Sequence, residues 1–182
     1  MMRQTLAAVA FVAAAAAPVL AQAPPAPKPA PEMASLKFME GSWTCAGTMP
    51  ASPFGPGGKT TSSVSIHNDL GGFWQSGTVK ASGGGMPGTM EGMFHTTYDT
   101  SAKQYVMLWV DNMGAWAQST AKGWENDTLT YTGETIFGGQ KIASRDSFKK
   151  NADGSLHHTS EMQMEGKWAN TGDETCKKAA KK

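Results

Sequence analysis

From Trp43 to Cys176 the chain repeats one pattern: a short run rich in β-branched, aromatic and Met residues, then a cluster of Gly, Pro, Asn or Asp. Runs of this kind read as strands and the clusters between them as turns. About ten runs can be counted. The first holds Trp43 and Cys45, the second Val64 and Ile66, the third Phe73, Trp74 and Val79, and the fourth Met90, Phe94 and Tyr98. The fifth, 105–110, is apolar on both faces and reads as the best-buried strand. The sixth passes through Trp116, the seventh through Leu129 and Tyr131, the eighth from Ile142 to Phe148, the ninth from Leu156 to Met164, and the tenth ends at Cys176. Residues 125–127 and 149–154 have hairpin-turn composition. A short helical turn is predicted over 34–40, before the first strand.

Consecutive hairpins of this kind predict an all-β, up-and-down antiparallel meander. Closing it into a barrel removes the free edges that invite aggregation. A two-sheet sandwich stays open at this point, because strand counting does not separate the two.

The first 23 residues do not belong to this pattern. They hold Arg3, an apolar stretch from Leu6 to Leu20, and Ala21-Gln22-Ala23, which reads as an export signal with a small-residue cleavage site. The stretch is too short to span a bilayer as a helix. Residues 24–32 are rich in Pro and Ala and read as a linker, 33–178 as the barrel domain, and 179–182 as a basic tail. A periplasmic or secreted, soluble protein is expected.

Composition agrees with a turn-rich body: 21 Gly and 10 Pro, with charged residues at only 17%. The 16 Lys and Arg against 15 Asp and Glu leave the chain neutral once Arg3 is removed with the leader. Such a balance gives no reason to expect a nucleic-acid partner.

Cys45 and Cys176 are the only cysteines. In an oxidising compartment a lone pair is most simply a disulfide, with two free thiols as the alternative. A bond requires Cα atoms within about 7 Å. The first and last strands must then be neighbours, which points to the closed sheet.

Three stretches carry a family resemblance. They are 39–47, with its Gly41-Ser42-Trp43 opening; 69–74, Asp-Leu-Gly-Gly-Phe-Trp; and the run from Met90-Glu91-Gly92 through Tyr98-Asp99, Lys103 and Tyr105 to Trp109-Val110-Asp111. Together they resemble the bacterial domain-of-unknown-function 1579 family within the calycin, or lipocalin-like, barrels. The resemblance implies a barrel of about ten strands and brings no activity. In similar barrels a late-strand arginine stacks on the strand-one tryptophan, which implies a structural pair of Arg145 and Trp43. An inward Arg145 would instead receive a carboxylate, as in fatty-acid-binding barrels, while alternation with Ile142, Ser144 and Phe148 places it outward. Nitrobindin, a related barrel family with a similar opening, holds haem through a late-strand histidine. That similarity makes His158 a candidate haem ligand; no other cofactor is implied.

The chain has no nucleophile elbow, no His-Glu-x-x-His, no Cys-x-x-Cys and no phosphate-binding or dinucleotide fingerprint. The glycine loop 82–88 lacks the helix a phosphate cradle needs and reads as a slack hairpin or a flap over a cavity. On the ninth strand, alternation puts Leu156, His158, Ser160, Met162 and Met164 on one face. His158 is thus the one imidazole expected to point inward, with His67 and His95 outward. No catalytic residue and no metal-ligand set is assigned, and no second group beside His158 suggests an enzyme. The leading expectation is a barrel that binds a small apolar or amphipathic molecule through Trp74, Met90, Phe94, Trp109, His158 and Met162. Its rivals are a filled barrel serving as a structural or interaction module of the cell envelope, and a haem protein using His158. Oligomeric state is not legible.

Overall fold

The computed structural model describes residues 25–52 and 55–179. The predicted export signal at 1–23 and the end of the basic tail lie outside the described residues. The strands are β1 (Gly41–Met49), β2 (Gly58–Asp69), β3 (Trp74–Gly83), β4 (Met90–Asp99), β5 (Gln104–Asp111), β6 (Trp116–Ala121), β7 (Trp124–Glu125), β8 (Thr128–Phe137), β9 (Gln140–Lys150), β10 (Leu156–Met164) and β11 (Lys167–Lys178). They form one antiparallel sheet in the order β6-β5-β4-β3-β2-β1-β11-β10-β9-β8, closed by pairing of β6 with β8. The two-residue β7 attaches to β8 alone. Ten strands therefore make the closed barrel, and the sandwich is excluded.

The ends of the chain meet as expected. Cys45 sits opposite Cys176 in the β1–β11 ladder, with Cα atoms 3.9 Å apart and the sulfurs bonded. Closing a loop across 131 positions stabilises the fold by up to about 5 kcal/mol through the entropy removed from the unfolded chain.

One mouth of the barrel is plugged. A 3-10 segment, Pro31–Met39, lies across it and buries Leu36 and Met39. It begins within the predicted linker, three residues ahead of the predicted turn. Several hydrogen bonds fix it: the Trp43 indole N–H donates to the Met39 carbonyl (2.7 Å), Gln75 Nε2 to the Leu36 carbonyl (3.0 Å), and the Tyr105 hydroxyl to the Glu32 carbonyl (2.8 Å). Around the plug pack Trp43, Ile66, Tyr105, Leu129, Tyr131, Leu156 and the disulfide. These buried indole, amide and hydroxyl groups are paired, so their burial carries little penalty.

Two local features depart from simple alternation. β11 carries a bulge between Gly172 and Asn170, opposite Ser160 and Glu161. Without the extra residue Trp168 would share the inward face of Gly172 and Glu174. With it, Ala169 faces inward and Trp168 turns out. The second departure is β5. Although apolar on both sides, it is not the best-buried strand: Leu108 and Val110 on its outer face are exposed. A closed barrel has one inside, and apolar side chains on the far face simply meet solvent.

Candidate functional site

Cross-strand register identifies the inner face. Cys45 and Cys176 pair inside, so Glu174 on β11 also points in; Leu156 opposite Cys176 brings His158 and Ser160 in on β10; Phe148 opposite His158 brings Asp146 in on β9. The result is a continuous polar chain across the barrel wall. Ser62 Oγ donates to Glu174 Oε2 (2.8 Å), Glu174 Oε1 meets His158 Nδ1 (3.1 Å), and His158 Nε2 meets Asp146 Oδ1 (3.2 Å). Ser160 Oγ donates to the same Asp146 oxygen (2.6 Å) and lies 3.3 Å from His158 Nε2.

Glycine permits the Glu174 end of this chain. Gly47 stands opposite Glu174, and a methyl group there would run into the Asp173 carbonyl oxygen and lie 2.6 Å from the Glu174 Cα. β1 and β11 can approach this closely only where β1 has no side chain.

The three ionisable groups are inward yet not sealed. Side-chain accessibility is 22% for His158, 29% for Asp146 and 20% for Glu174. Surface that water reaches on the inner wall means that open space adjoins these groups.

Burial alone would lower the basicity of His158, but hydrogen bonds and charge from Asp146 and Glu174 outweigh it and push its pKa up to about 9. Burial raises the Glu174 carboxyl, and the His158 imidazolium with the Ser62 hydroxyl more than reverses that, so its pKa falls below the ordinary value. At neutral pH the centre is an imidazolium between two carboxylates.

That charge state limits its chemistry. Glu174, His158 and Ser160 stand in the order carboxylate, imidazole, hydroxyl, the sequence of a nucleophilic relay. An imidazolium has no lone pair to accept the Ser160 proton, and that proton already points to Asp146. The same occupancy bears on haem. Both ring nitrogens of His158 face carboxylates and carry protons, so neither offers iron a lone pair without first losing its partner. Glu174 also lies close to both disulfide sulfurs. Bonded sulfurs present no thiolate, so this grouping is not a metal centre.

The remaining predicted residues divide. Register puts Met90, Phe94, Trp109 and Met162 on the inner face with His158. The Phe94 ring lies over Gly77 and the Trp109 ring over Gly92, where a side chain would collide with each. Trp109 Nε1 donates to Asp111 Oδ2 (3.0 Å). Trp74 is a correction. Gln75 takes the inward position at the start of β3, tied to the plug, so Trp74 points outward.

The Arg145–Trp43 pair is also not formed. Arg145 lies on the outer face, donates to both Glu161 oxygens, and stacks on the Trp168 ring at 4.4 Å. The cation near the Trp43 ring is the Lys178 ammonium, at 5.1 Å. With Arg145 outside, the fatty-acid type of carboxylate receptor is absent from its predicted place. His67 is exposed and His95 bonds Ser76 on the outer face, as alternation predicts.

At the end opposite the plug, Met86, Pro87, Gly88 and Thr89 of the glycine loop meet Met90, Asn112, Met113 and Phe137 around a cavity of about 280 Å³. Part of the loop read as a hairpin or flap therefore forms one wall of a space at the open rim.

Asp146 and Glu174 escaped the sequence reading, although the signal was present. Asp146 is two residues from inward Phe148 and Glu174 two from inward Cys176, so the alternation that selected His158 selects them as well.

Residues 28–177 match the family described as Protein of unknown function (DUF1579). The chain belongs to this family. No curated protein matches this DUF1579 chain in sequence. Among solved structures it is similar to the crystal structure of Rv2717c from M. tuberculosis, with a TM-score of 0.65 at 12% identity, covering 84% of this chain and 100% of that one. At that identity the likeness concerns the fold alone.

Proposed function

We propose that this DUF1579 protein is an exported binding barrel that holds a small amphipathic molecule in its interior. The observation that carries the reading is the accessible surface left on inward-facing Asp146, His158 and Glu174 within a wall that also bears Met90, Phe94, Trp109 and Met162. Polar groups beside an aromatic and thioether lining suit a ligand with one polar and one apolar end. The closed antiparallel meander and the Gly-x-Trp start favour kinship with the calycins. The leader-like first 23 residues and the Cys45–Cys176 bond favour a site of action outside the cytoplasm. Among the described residues no helix is long and apolar enough to cross a membrane.

The test is binding of the neutral fluorescent probe N-phenyl-1-naphthylamine to the mature protein, followed by displacement with an organic extract of the native envelope. Saturable fluorescence gain that the extract reverses, together with a raised melting temperature, is the expected result. A barrel that leaves the probe dark and whose melting does not respond to the extract is not a binding protein of this kind.

A further inference from the structure

We infer that the polar end of the ligand is a protonated amine, so that the interior selects cationic amphiphiles over fatty-acid anions; this rests on the binding reading above and names its substrate class.

Mid-barrel holds Asp146, His158 and Glu174, which together carry a net negative charge with the imidazole protonated. Asp111 adds another carboxylate at the open end of β5, on the same face. The inner-face cations are Lys150 and Lys178 at the plugged end, where their ammonium groups lie over the rings of Trp124 (3.6 Å) and Trp43 (5.1 Å), and exposed Lys167 at the opposite end, across from inward Met164. Lys178 is four residues beyond Glu174, about 13 Å along the strand. Lys167 stands opposite Met164, six residues and about 20 Å along the strand from His158, so none of the three lysines neutralises the centre.

Hydrogen-bond capacity points the same way. Every hydrogen bond to Asp146 falls on Oδ1, and Oδ2 accepts none among the described residues. A partly accessible carboxylate oxygen without a donor is a receptor for an N–H group. The imidazolium, by contrast, has given both its protons to carboxylates, so an incoming anion finds no donor there and meets two like charges. Arg145, which would have received an anion, is outside. One inward position away in register, Ser119, only 4% exposed and on the inner face of β6, holds a hydroxyl with no partner among the described residues. The rings of Phe94, Trp109 and Phe148 share this face and suit an alkylammonium cation.

The test compares decylamine, decanol and decanoate by calorimetry at pH 7 on the mature, oxidised protein, with N-phenyl-1-naphthylamine as a probe of binding itself. Decylamine is expected to bind at least tenfold more tightly than decanol, with decanoate weakest. Asp146→Asn should remove about tenfold of the amine's advantage over decanol. His158→Gln, which takes away the only nearby cation, should shift the preference the other way and favour the amine further. The wild-type comparison is decisive even where a variant does not fold. Equal affinities, or decanoate as the tightest ligand, with the probe still bound, would overturn the amine assignment and leave the binding barrel standing. No binding of any decyl compound or of the probe overturns both.

Discussion

The Phe148 ring lies flat against the His158 imidazole, with centroids 4.5 Å apart and planes within 5° of parallel. An apolar ring covers one face of the cation while carboxylates take both of its edges. The stacking holds the imidazole in the one orientation that serves Asp146 and Glu174 together. We therefore expect His158 to remain protonated at pH 7.5 and to titrate near 9. The imidazole carbon and nitrogen NMR shifts, followed between pH 5 and 10, provide the check. Asp146→Asn should bring the midpoint down, and a wild-type midpoint at or below 6.5 would contradict the ion-pair geometry.

Stability should follow the same charges. The folded pKa of His158 is raised above its unfolded value of 6.5, so its contribution is complete below about pH 6.5 and disappears as pH rises through about 9. Glu174 is lowered from 4.5, so its contribution is complete above that value and disappears as pH falls through the folded pKa. Melting temperature should peak between about pH 4.5 and 6.5. The alkaline loss is of order 3 kcal/mol. His158→Gln should flatten the alkaline limb, and an equal slope in that variant would assign the loss to other groups.

The disulfide joins the two ends of the barrel wall beside the polar centre. Cys45→Ser with Cys176→Ser should lower unfolding free energy by roughly 2–5 kcal/mol. It should also loosen the β1–β11 seam that positions Glu174. Denaturant melts read the first effect, and amide exchange at Thr44 and Thr175 reads the second. A double variant as stable as the oxidised protein would show that strand pairing alone holds the closure.

Most of the barrel was legible because alternation and turn chemistry are local signals. Ten runs became ten long strands, and residues 125–127 became a tight hairpin with Asn126 and Asp127 at positive φ (46° and 61°). The misreadings occur where the phase of the alternation is set by something distant. Trp74 points outward because Gln75 is fastened to a plug 39 residues earlier. Arg145 stacks on Trp168 rather than Trp43 because a bulge in β11, which no local residue pattern announces, turns Trp168 to the outer face. The polar centre was half legible: alternation on each strand marks His158, Asp146 and Glu174 as inward, but that the three meet depends on cross-strand register, which no single strand's pattern carries.

Because Arg145 is outside, its removal should leave binding untouched. Arg145→Ala breaks an ion pair with Glu161 and the stacking on Trp168, both partly solvated, so a loss of no more than about 1 kcal/mol is expected. Probe affinity should stay at the wild-type value. A large drop in affinity would mean that this side chain reaches the interior after all.

The sharpest probe of the inner wall is Gly92. Trp109 lies over it and is held there by its N–H bond to Asp111, so the indole occupies the space a side chain would need. Gly92→Ala must push the ring toward the barrel axis or part β4 from β5. Either response costs about 1–3 kcal/mol, because a packed wall has few voids to accept an added methyl group. The neighbouring Met93 is exposed on the outer face, and Met93→Ala should cost far less. If the ring moves inward it narrows the interior, so probe affinity should fall and the Trp109 emission should shift, which Trp109→Phe assigns among the six tryptophans. A Gly92→Ala variant with wild-type stability, emission and affinity would place the indole elsewhere and remove Trp109 from the binding wall.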